Sequence, residues 1–443
     1  MSNITYQEGL DYLQNSHAKG SRVGLAGVKT VLSALNNPQD KCLIIHVAGT
    51  NGKGSTCAFL QHILMAAGFK IGLFTSPHLQ RYNERITINS KPISDANFAG
   101  QLMIVAETAT NNGLNPMSFF EILTCMAYNY FAESDVDIAI IETGIGGRLD
   151  ATNAVNNPLL SVITAPGYDH QEILGDTLSQ IASEDAGIVK ENCPVALYQT
   201  SELSVFKSIA MEKRSPLYYI GDNVEISDLD YGLSGTNFSV KTAYFSYQSL
   251  NIRLLGEHQL HNAILSLLCI EALRECHKMT ITNCAVLQGL AQCQWHGRFQ
   301  LISSKPYIVL DGAHNEDGAR IFKEALIRYF SDRYIVLVVG ISHHKDYKKI
   351  LHHLLSAADA VICTCASFKA MEATTLTDHV QAYIQAQKKH NDQVDIPILT
   401  VSDCHEALKI AVEMAGSEGV AAVAGSLYLI GDIYGLGEIL NRF

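Results

Sequence analysis

Residues 42–68 read CLIIHVAGTNGKGSTCAFLQHILMAAG, and the fold follows from how this stretch changes character along its length. Cys42 to Val47 is a short apolar run that ends at Gly49. Beyond Lys53 the apolar residues Phe59, Ile63, Leu64 and Ala67 recur at helical spacing, and Gly68 is a stop signal. The order is strand, glycine loop, helix. The loop, Gly49-Thr50-Asn51-Gly52-Lys53-Gly54-Ser55-Thr56, sits where backbone N–H groups and a helix N-terminus favour a phosphate. Lys53 is placed to reach β and γ phosphates, and Ser55 to offer its hydroxyl to Mg2+. The spacing is not that of the standard phosphate loop: Val47 holds the first glycine's position, and Gly54 separates Lys53 from Ser55. A turn that merely uses glycine is the alternative, and the flanking strand and helix argue against it.

The same alternation continues outward. Ile71–Phe74 reads as a strand, 119–132 as a helix, 136–141 as a buried strand followed by a glycine loop, 159–164 as a strand and 177–190 as a helix. This rhythm predicts an α/β unit on a mainly parallel sheet. Upstream, Leu10, Leu13, Val28, Val31, Leu32 and Leu35 lie at roughly helical spacing in a polar helix-and-loop segment. Around 215–256 short alternating segments, among them 238–240 and 243–245, predict antiparallel strands against that unit, and a helix near 260–275 follows. After Trp295-His296-Gly297-Arg298 a second α/β rhythm begins, with strands at Tyr307–Leu310, 334–339, Ala360–Cys363 and Val420–Ala424. The expected division is 1–297 and 298–443.

Composition bounds the function. The 443 residues carry 32 Lys+Arg against 44 Asp+Glu, a net charge of −12, which argues against a general nucleic-acid binder. Hydrophobic residues make up 47%, ample for buried cores. The 11 cysteines are odd in number and scattered without a C-x-x-C pair, which fits a reducing compartment. No run approaches the length of a membrane span and no signal peptide is evident at the N-terminus, so a cytoplasmic protein is expected.

Three further loops follow strands. Glu142-Thr143-Gly144-Ile145-Gly146-Gly147-Arg148-Leu149-Asp150 puts an acid at the carboxyl end of a buried strand, where open α/β sheets place ligands. Glu142 there is a hard donor for Mg2+, and Arg148 with Asp150 is suited to orient a substrate. Tyr168-Asp169-His170 and Thr75-Ser76-Pro77-His78-Leu79 also end strands. Singly, each has a plain structural reading: a solvated Glu, a structural His, a proline loop. Together with the phosphate loop they face one crevice.

With these segments the chain resembles the folylpolyglutamate synthase and dihydrofolate synthase family of the Mur ligase superfamily. The resemblance runs through HVAGTNGKGS (46–55), TSPHL (75–79), NERI (83–86), FFEILT (119–124), ETGIGGRLDATN (142–153), YDH (168–170), LGDTLSQIASEDAGIVK (174–190), GEHQLHNA (256–263), WHGRF (295–299), DGAHN (311–315) and GSLYLIG (425–431). It implies a P-loop-type ATPase domain on a mainly parallel sheet and a smaller Rossmann-like α/β domain. It further implies an ATP-dependent, ADP-forming ligase that activates a carboxylate as an acyl phosphate and couples it to glutamate's amino group. By similarity, Lys53 and Ser55 hold phosphates and metal, and Ser76, Glu142 and His170 ligate Mg2+. Asn262, Arg298 and Asp311 complete the nucleotide site; Ser118, Phe120, Arg148 and Asp150 lie near the pterin-bearing acid; His314 lies where the amino acid is expected. Read without the family, Asn262 is a helix-surface amide, Arg298 a linker charge, Asp311 and His314 turn caps, and Ser118 a helix cap.

The resemblance has gaps. Relatives carry, before the Ala-Gly of this segment, a lysine that is typically carbamylated and helps hold a second Mg2+; here Asp185 stands in its place, an anion on a shorter arm, so that second site is in question. Ala165-Pro166, His296, Glu316 and Gly27 are further departures. The leading reading is glutamate addition to dihydropteroate, and to folates, with ATP and Mg2+ as cofactors and a monomer by family analogy. A paralogue joining a different acid and amine, and a nucleotide-binding protein without ligase activity, are the competing readings.

Overall fold

The computed structural model describes residues 4–17, 24–114, 117–221, 223–388 and 396–435. The apolar runs become strands β1 (Leu43–Ala48), β2 (Ile71–Phe74), β3 (Ile86–Ile88), β4 (Lys91–Pro92), β5 (Ile138–Glu142), β6 (Leu160–Ile163), β7 (Val195–Leu197) and β8 (Leu217–Tyr219). They form one sheet in the order β4-β3-β2-β5-β1-β6-β7-β8, in which only β3 and β4 pair antiparallel. β1 therefore lies between β5 and β6, with Val47 opposite both Glu142 and Val162. Because β1 is covered on both faces, its side chains need not alternate in polarity. Ile45 and Val47 pack with helices Lys53–Ala66 and Glu257–His277, while Ile44 packs with helix Phe119–Glu133.

Strands β9 (Glu225–Gly232), β10 (Gly235–Lys241) and β11 (Ser246–Ile252) make an antiparallel sheet whose Phe238, Val240, Tyr247, Leu250 and Ile252 join the same core. Two expectations need correction here. Residues 243–245 form the turn between β10 and β11: the Thr242 hydroxyl accepts from the N–H groups of Tyr244 and Phe245 (3.1 and 3.2 Å), a local competitor to strand pairing. Leu217–Tyr219, in the segment read as antiparallel, instead extends the main sheet in parallel beside β7.

The helix expected over 177–190 runs from Leu178 to Asp185 behind a Thr177–Gln180 capping box, then tightens to a 3-10 turn at Ala186–Ile188. Glu184 O accepts from Arg148 N–H (2.9 Å), and the loop at Arg148 presses against Gly187 where a Cβ would stand 2.4 Å away. The helix ends where that loop docks.

The last sheet holds β12 (Gln300–Ser304), β13 (Tyr307–Leu310), β14 (Ile335–Val339), β15 (Ala360–Cys363), β16 (Ile398–Thr400) and β17 (Val420–Ala424), ordered β12-β13-β17-β14-β15-β16 and parallel except for β12. Mixed α/β architecture with mainly parallel sheets is thus observed in both halves. No helix among the described residues is long and apolar enough to cross a membrane.

Candidate functional site

The loops after β1, β2, β5 and β6 meet the loops after β13, β14 and β17 around two adjoining cavities. The inner one, about 210 Å³, is lined by the phosphate loop, Glu142, Asp169, His170, Asp185, Asn262, Arg298, Asp311 and His314. The outer, about 390 Å³, is lined among others by Arg85, Ser118, Phe120, Asp150, Lys345 and Lys369. Ser76, His170 and His314 line both.

The phosphate loop is shaped by two left-handed glycines. Gly49 has φ 127°, and a Cβ there would lie 2.2 Å from Thr164 Oγ1; Gly52 has φ 87°, and its Cβ would lie 2.5 Å from Asn262 Oδ1. The N–H groups of Thr50 and Asn51 both donate to Ala165 O, and Thr50 Oγ1 exchanges hydrogen bonds with Gly167 N and O, each 2.9 Å. Lys53 opens the helix, its Nζ donating to the carbonyls of Gly49 (2.7 Å) and Thr50 (3.2 Å). Gly54 and Ser55 line the inner cavity as well. Thr56 does not: it is fully buried in the helix, its hydroxyl without a partner.

Glu142 Oε2 accepts from Ser76 N–H at 3.0 Å. Burial raises its pKa, opposed by the neighbouring Lys53 ammonium. Asp185 is 1% exposed with an Oδ2 that has no partner, and burial pushes its carboxyl up to about 7 despite Lys53. Burial lowers His170. Asn262 Nδ2 donates to Gln259 Oε1 (3.2 Å). Asp311 accepts from Phe299 N–H (2.6 Å) and Ala313 N–H (2.7 Å), and burial raises it to about 6. His314 Nδ1 bonds the Gly312 carbonyl (2.8 Å); a carbonyl only accepts, so Nδ1 carries the hydrogen and Nε2 keeps its lone pair. Burial brings that ring down to about 4.

In the outer cavity several residues have local tasks. Ser118 caps helix Phe119–Glu133, its Oγ accepting from Glu121 N–H (3.3 Å) while Glu121 accepts from Ser118 N–H (2.8 Å). Phe120 stands against Gly144, where a Cβ would come within 2.7 Å of the ring. Asp150 accepts from the N–H groups of Gly144 (2.9 Å), Ile145 (3.0 Å) and Thr152 (3.0 Å) and from the Thr152 hydroxyl. Four donors occupy its two oxygens, so it shapes the turn after Glu142 from within. Thr152 is held in turn by buried His46 Nε2 (2.8 Å). Arg148 is not brought into either cavity: its guanidinium bonds Ser183 O (3.1 Å) and Oγ (2.9 Å) and pairs with Glu184 (3.2 Å), because the helix end it docks on offers those acceptors first.

Residues the sequence reading passed over also converge here. Arg85 is buried, its Nε donating to His78 Nδ1 (2.8 Å) and its guanidinium 5.0 Å from the Phe119 ring centre. Arg85, Asp169 and Asn315 lie in motifs already noted, though without a role given to them, whereas Lys345 lies in none and stands simply beyond a strand end. Burial raises Asp169, but Lys345, His170 and His314 outweigh it and hold the carboxyl well below its usual range.

Among the described residues no group of three or more His, Cys, Asp or Glu is assembled to hold a metal ion. Hard oxygen donors lining the inner cavity include the carboxylates of Glu142, Asp169 and Asp311 and the hydroxyls of Ser55 and Ser76, a donor set that suits Mg2+; Asp185 lines it too, its Oδ2 buried and unpartnered.

Known proteins resemble this chain in sequence and fold. The family model for the Mur ligase middle domain matches residues 47–270, and that for the dihydrofolate synthetase C-terminal domain matches 295–436. A dihydrofolate synthase/folylpolyglutamate synthase of Bacillus subtilis is 36% identical, covering 97% of this chain and 98% of its own. A folylpolyglutamate synthase of Lacticaseibacillus casei is 31% identical, with 94% and 100% covered. Among solved structures, Escherichia coli FolC in complex with DHPP and ADP superposes with a TM-score of 0.87 at 27% identity, covering 99% of both chains. Mycobacterium tuberculosis folylpolyglutamate synthase complexed with ADP and AMPPCP gives 0.85 at 28%, over 97% and 98%. With the match running through both sheets and the crevice between them, the chain belongs to the dihydrofolate synthase/folylpolyglutamate synthase family of Mur ligases.

Proposed function

We propose that this chain is an ATP-dependent amide ligase that joins L-glutamate to dihydropteroate and extends folates with further glutamate. The observation that carries this reading is the common wall of the two cavities: Ser76, His170 and His314 border both a lysine loop and a chamber with an apolar side. ATP in the inner cavity puts its phosphates at Lys53 and the N–H groups of the loop, with Asn262, Arg298 and Asp311 along the rest of the nucleotide. The acid lies in the outer cavity against Phe120, Ile145, Leu149 and Ile173, its carboxylate toward the common wall.

The carboxylate oxygen bonds to the γ-phosphorus as the bond to the β–γ bridging oxygen breaks, and ADP leaves with the electron pair. Glutamate's amino nitrogen then attacks the acyl carbon and loses its proton, and inorganic phosphate departs with the carbon–oxygen pair. Alignment and charge neutralisation govern both steps. Lys53 holds the γ-phosphoryl; the Asp150 turn fixes Gly144 and Ile145 beside the acid; Arg85 and His314 face the amino acid. Mg2+ would be held by Ser55, Ser76, Glu142 and His170, and when bound it neutralises phosphate charge. Asp185 borders the same cavity, its unpartnered oxygen buried beneath the surface. Residues 1–297 and 298–443 act as the two units whose closure excludes water from the acyl phosphate.

The test is a panel of acids (dihydropteroate, tetrahydrofolate, unrelated aryl acids), each with ATP, Mg2+ and glutamate, read by phosphate release and product mass. Dihydropteroate gaining one glutamyl residue supports the proposal. ATP bound with no acid turned over favours the non-catalytic reading; turnover confined to an unrelated acid favours the paralogue.

A further inference from the structure

An ion pair spans the boundary of the two cavities. Lys345, beyond β14, sets its Nζ 2.8 Å from Asp169 Oδ1 and 3.1 Å from Oδ2, and the side chains are only 12% and 16% exposed. Asp169 lines the inner cavity and Lys345 the outer. Asn315 Nδ2 donates to the same carboxylate (3.3 Å) and to Asn51 Oδ1 of the phosphate loop (3.2 Å), so the pair is indexed to the lysine loop. This is the place where a γ-phosphoryl and a carboxylate would meet.

The chemistry there asks for a cation that moves with the reacting carboxyl group. Two anions must approach one another, and amine attack then places negative charge on the acyl oxygen. Of the other cations lining the two cavities, Arg298 donates to the Gly297 carbonyl (3.2 Å) and Lys369 lies over the Phe368 ring, its Nζ 5.2 Å from the ring centre. Lys53 lies on the phosphate side, bonded to two loop carbonyls; Arg85 is tied to His78; neutral His314 offers a lone pair and no charge. Lysine suits the remaining task, because three donors on a flexible stem let one stay on Asp169 while another turns to a new oxygen.

We propose that Lys345 is a further catalytic residue, parked on Asp169 between turnovers and donating to the reacting carboxyl oxygen when acid and nucleotide are bound. The proposal rests on the ligase reading above. Asp169 is then a positioning residue, and the pair is more than a tie between two loops.

The test uses the full chain with K345M, K345Q and D169N, measuring ADP affinity, kcat and KM with dihydropteroate and glutamate, and acyl phosphate trapped as hydroxamate by hydroxylamine. Both Lys345 variants should bind ADP like wild type while losing about a hundred- to a thousandfold in kcat and in trapped hydroxamate. D169N, which keeps the ammonium, should lose no more than about tenfold in kcat. Equal losses in D169N and K345M would reduce the pair to a structural tie and overturn the proposal. So would turnover near wild type in either Lys345 variant, or loss of ADP binding in both. Wild-type protein inert toward every acid would instead bring down the ligase reading itself.

Discussion

Replacing Asp185 by Asn isolates the energetic cost of a buried acid. The side chain is 1% exposed, one oxygen has no partner, and burial raises its pKa from 3.8 to about 7. The unfolded chain ionises this group as pH rises through its ordinary value, while the folded chain keeps the proton until near neutrality. The folded state's advantage is therefore complete below the unfolded pKa and is lost as pH climbs through the folded one. A shift of roughly 3 units at about 1.4 kcal/mol each gives an upper bound of ~4 kcal/mol. Asparagine never ionises, but its amide N–H groups inherit a site with an unmet bond, at about 1–3 kcal/mol. D185N should accordingly be more stable than wild type by about 2 kcal/mol near pH ~8, and level or less stable near pH ~4.5. For a chain of this length that is a gain of roughly 2 °C in Tm on the alkaline side, falling to zero or below on the acid side. Thermal scans of both proteins across the pH range, without nucleotide or Mg2+, measure it. A Tm difference that does not change with pH, or a D185N that melts earlier at alkaline pH, would refute the argument that this carboxylate is held at a cost to the fold.

Other substitutions probe the remaining links. Lys53→Ala should lower kcat by about two to three orders of magnitude with the fold intact, because charge on the γ-phosphoryl loses its fixed counter-ion; near-normal turnover in a steady-state assay would remove Lys53 from the site. Gly49→Ala forces a Cβ to 2.2 Å from Thr164 Oγ1 at φ 127°, so nucleotide binding by calorimetry should be abolished and stability should drop by about 2–4 kcal/mol. Thr152→Val removes the hydroxyl that links His46 to Asp150; a urea midpoint should show a loss of about 1–3 kcal/mol, and KM for the acid should rise more than KM for ATP. Asp185→Lys should make turnover respond to bicarbonate if the pocket accepts a carbamylated lysine; an unmodified side chain in the variant's structure with no bicarbonate effect would show that it does not.

What was legible in the sequence is what local pattern encodes. The stretch from Leu43 to Ala66 carries its own strand, loop and helix, and Ile71–Phe74 stands as read. The strand-end rule brought Glu142, His170 and Ser76 to one cavity wall without knowledge of any contact. The failures are equally local. Ala243-Tyr244-Phe245 alternates like a strand, yet one hydroxyl at Thr242 folds it into a turn. The edge strands β12 and β16 have no fully buried residue, and β16 is only three residues long behind Pro397, so neither reads as a core strand. Direction is invisible too: spacing places Arg148 beside Asp150, but only packing shows its guanidinium turning to Ser183 and Glu184. Lys345 meets Asp169 across 176 positions, and Asn315 meets Asn51 across 264, separations that no periodicity records.

In the proposed reaction a carboxylate oxygen attacks phosphorus and later leaves with it. Dihydropteroate labelled with heavy oxygen in its carboxylate, incubated with the full chain, ATP, Mg2+ and glutamate, follows that atom into the products. Inorganic phosphate carrying one labelled oxygen per amide formed is the predicted result. Amide formed while the phosphate stays unlabelled would contradict it.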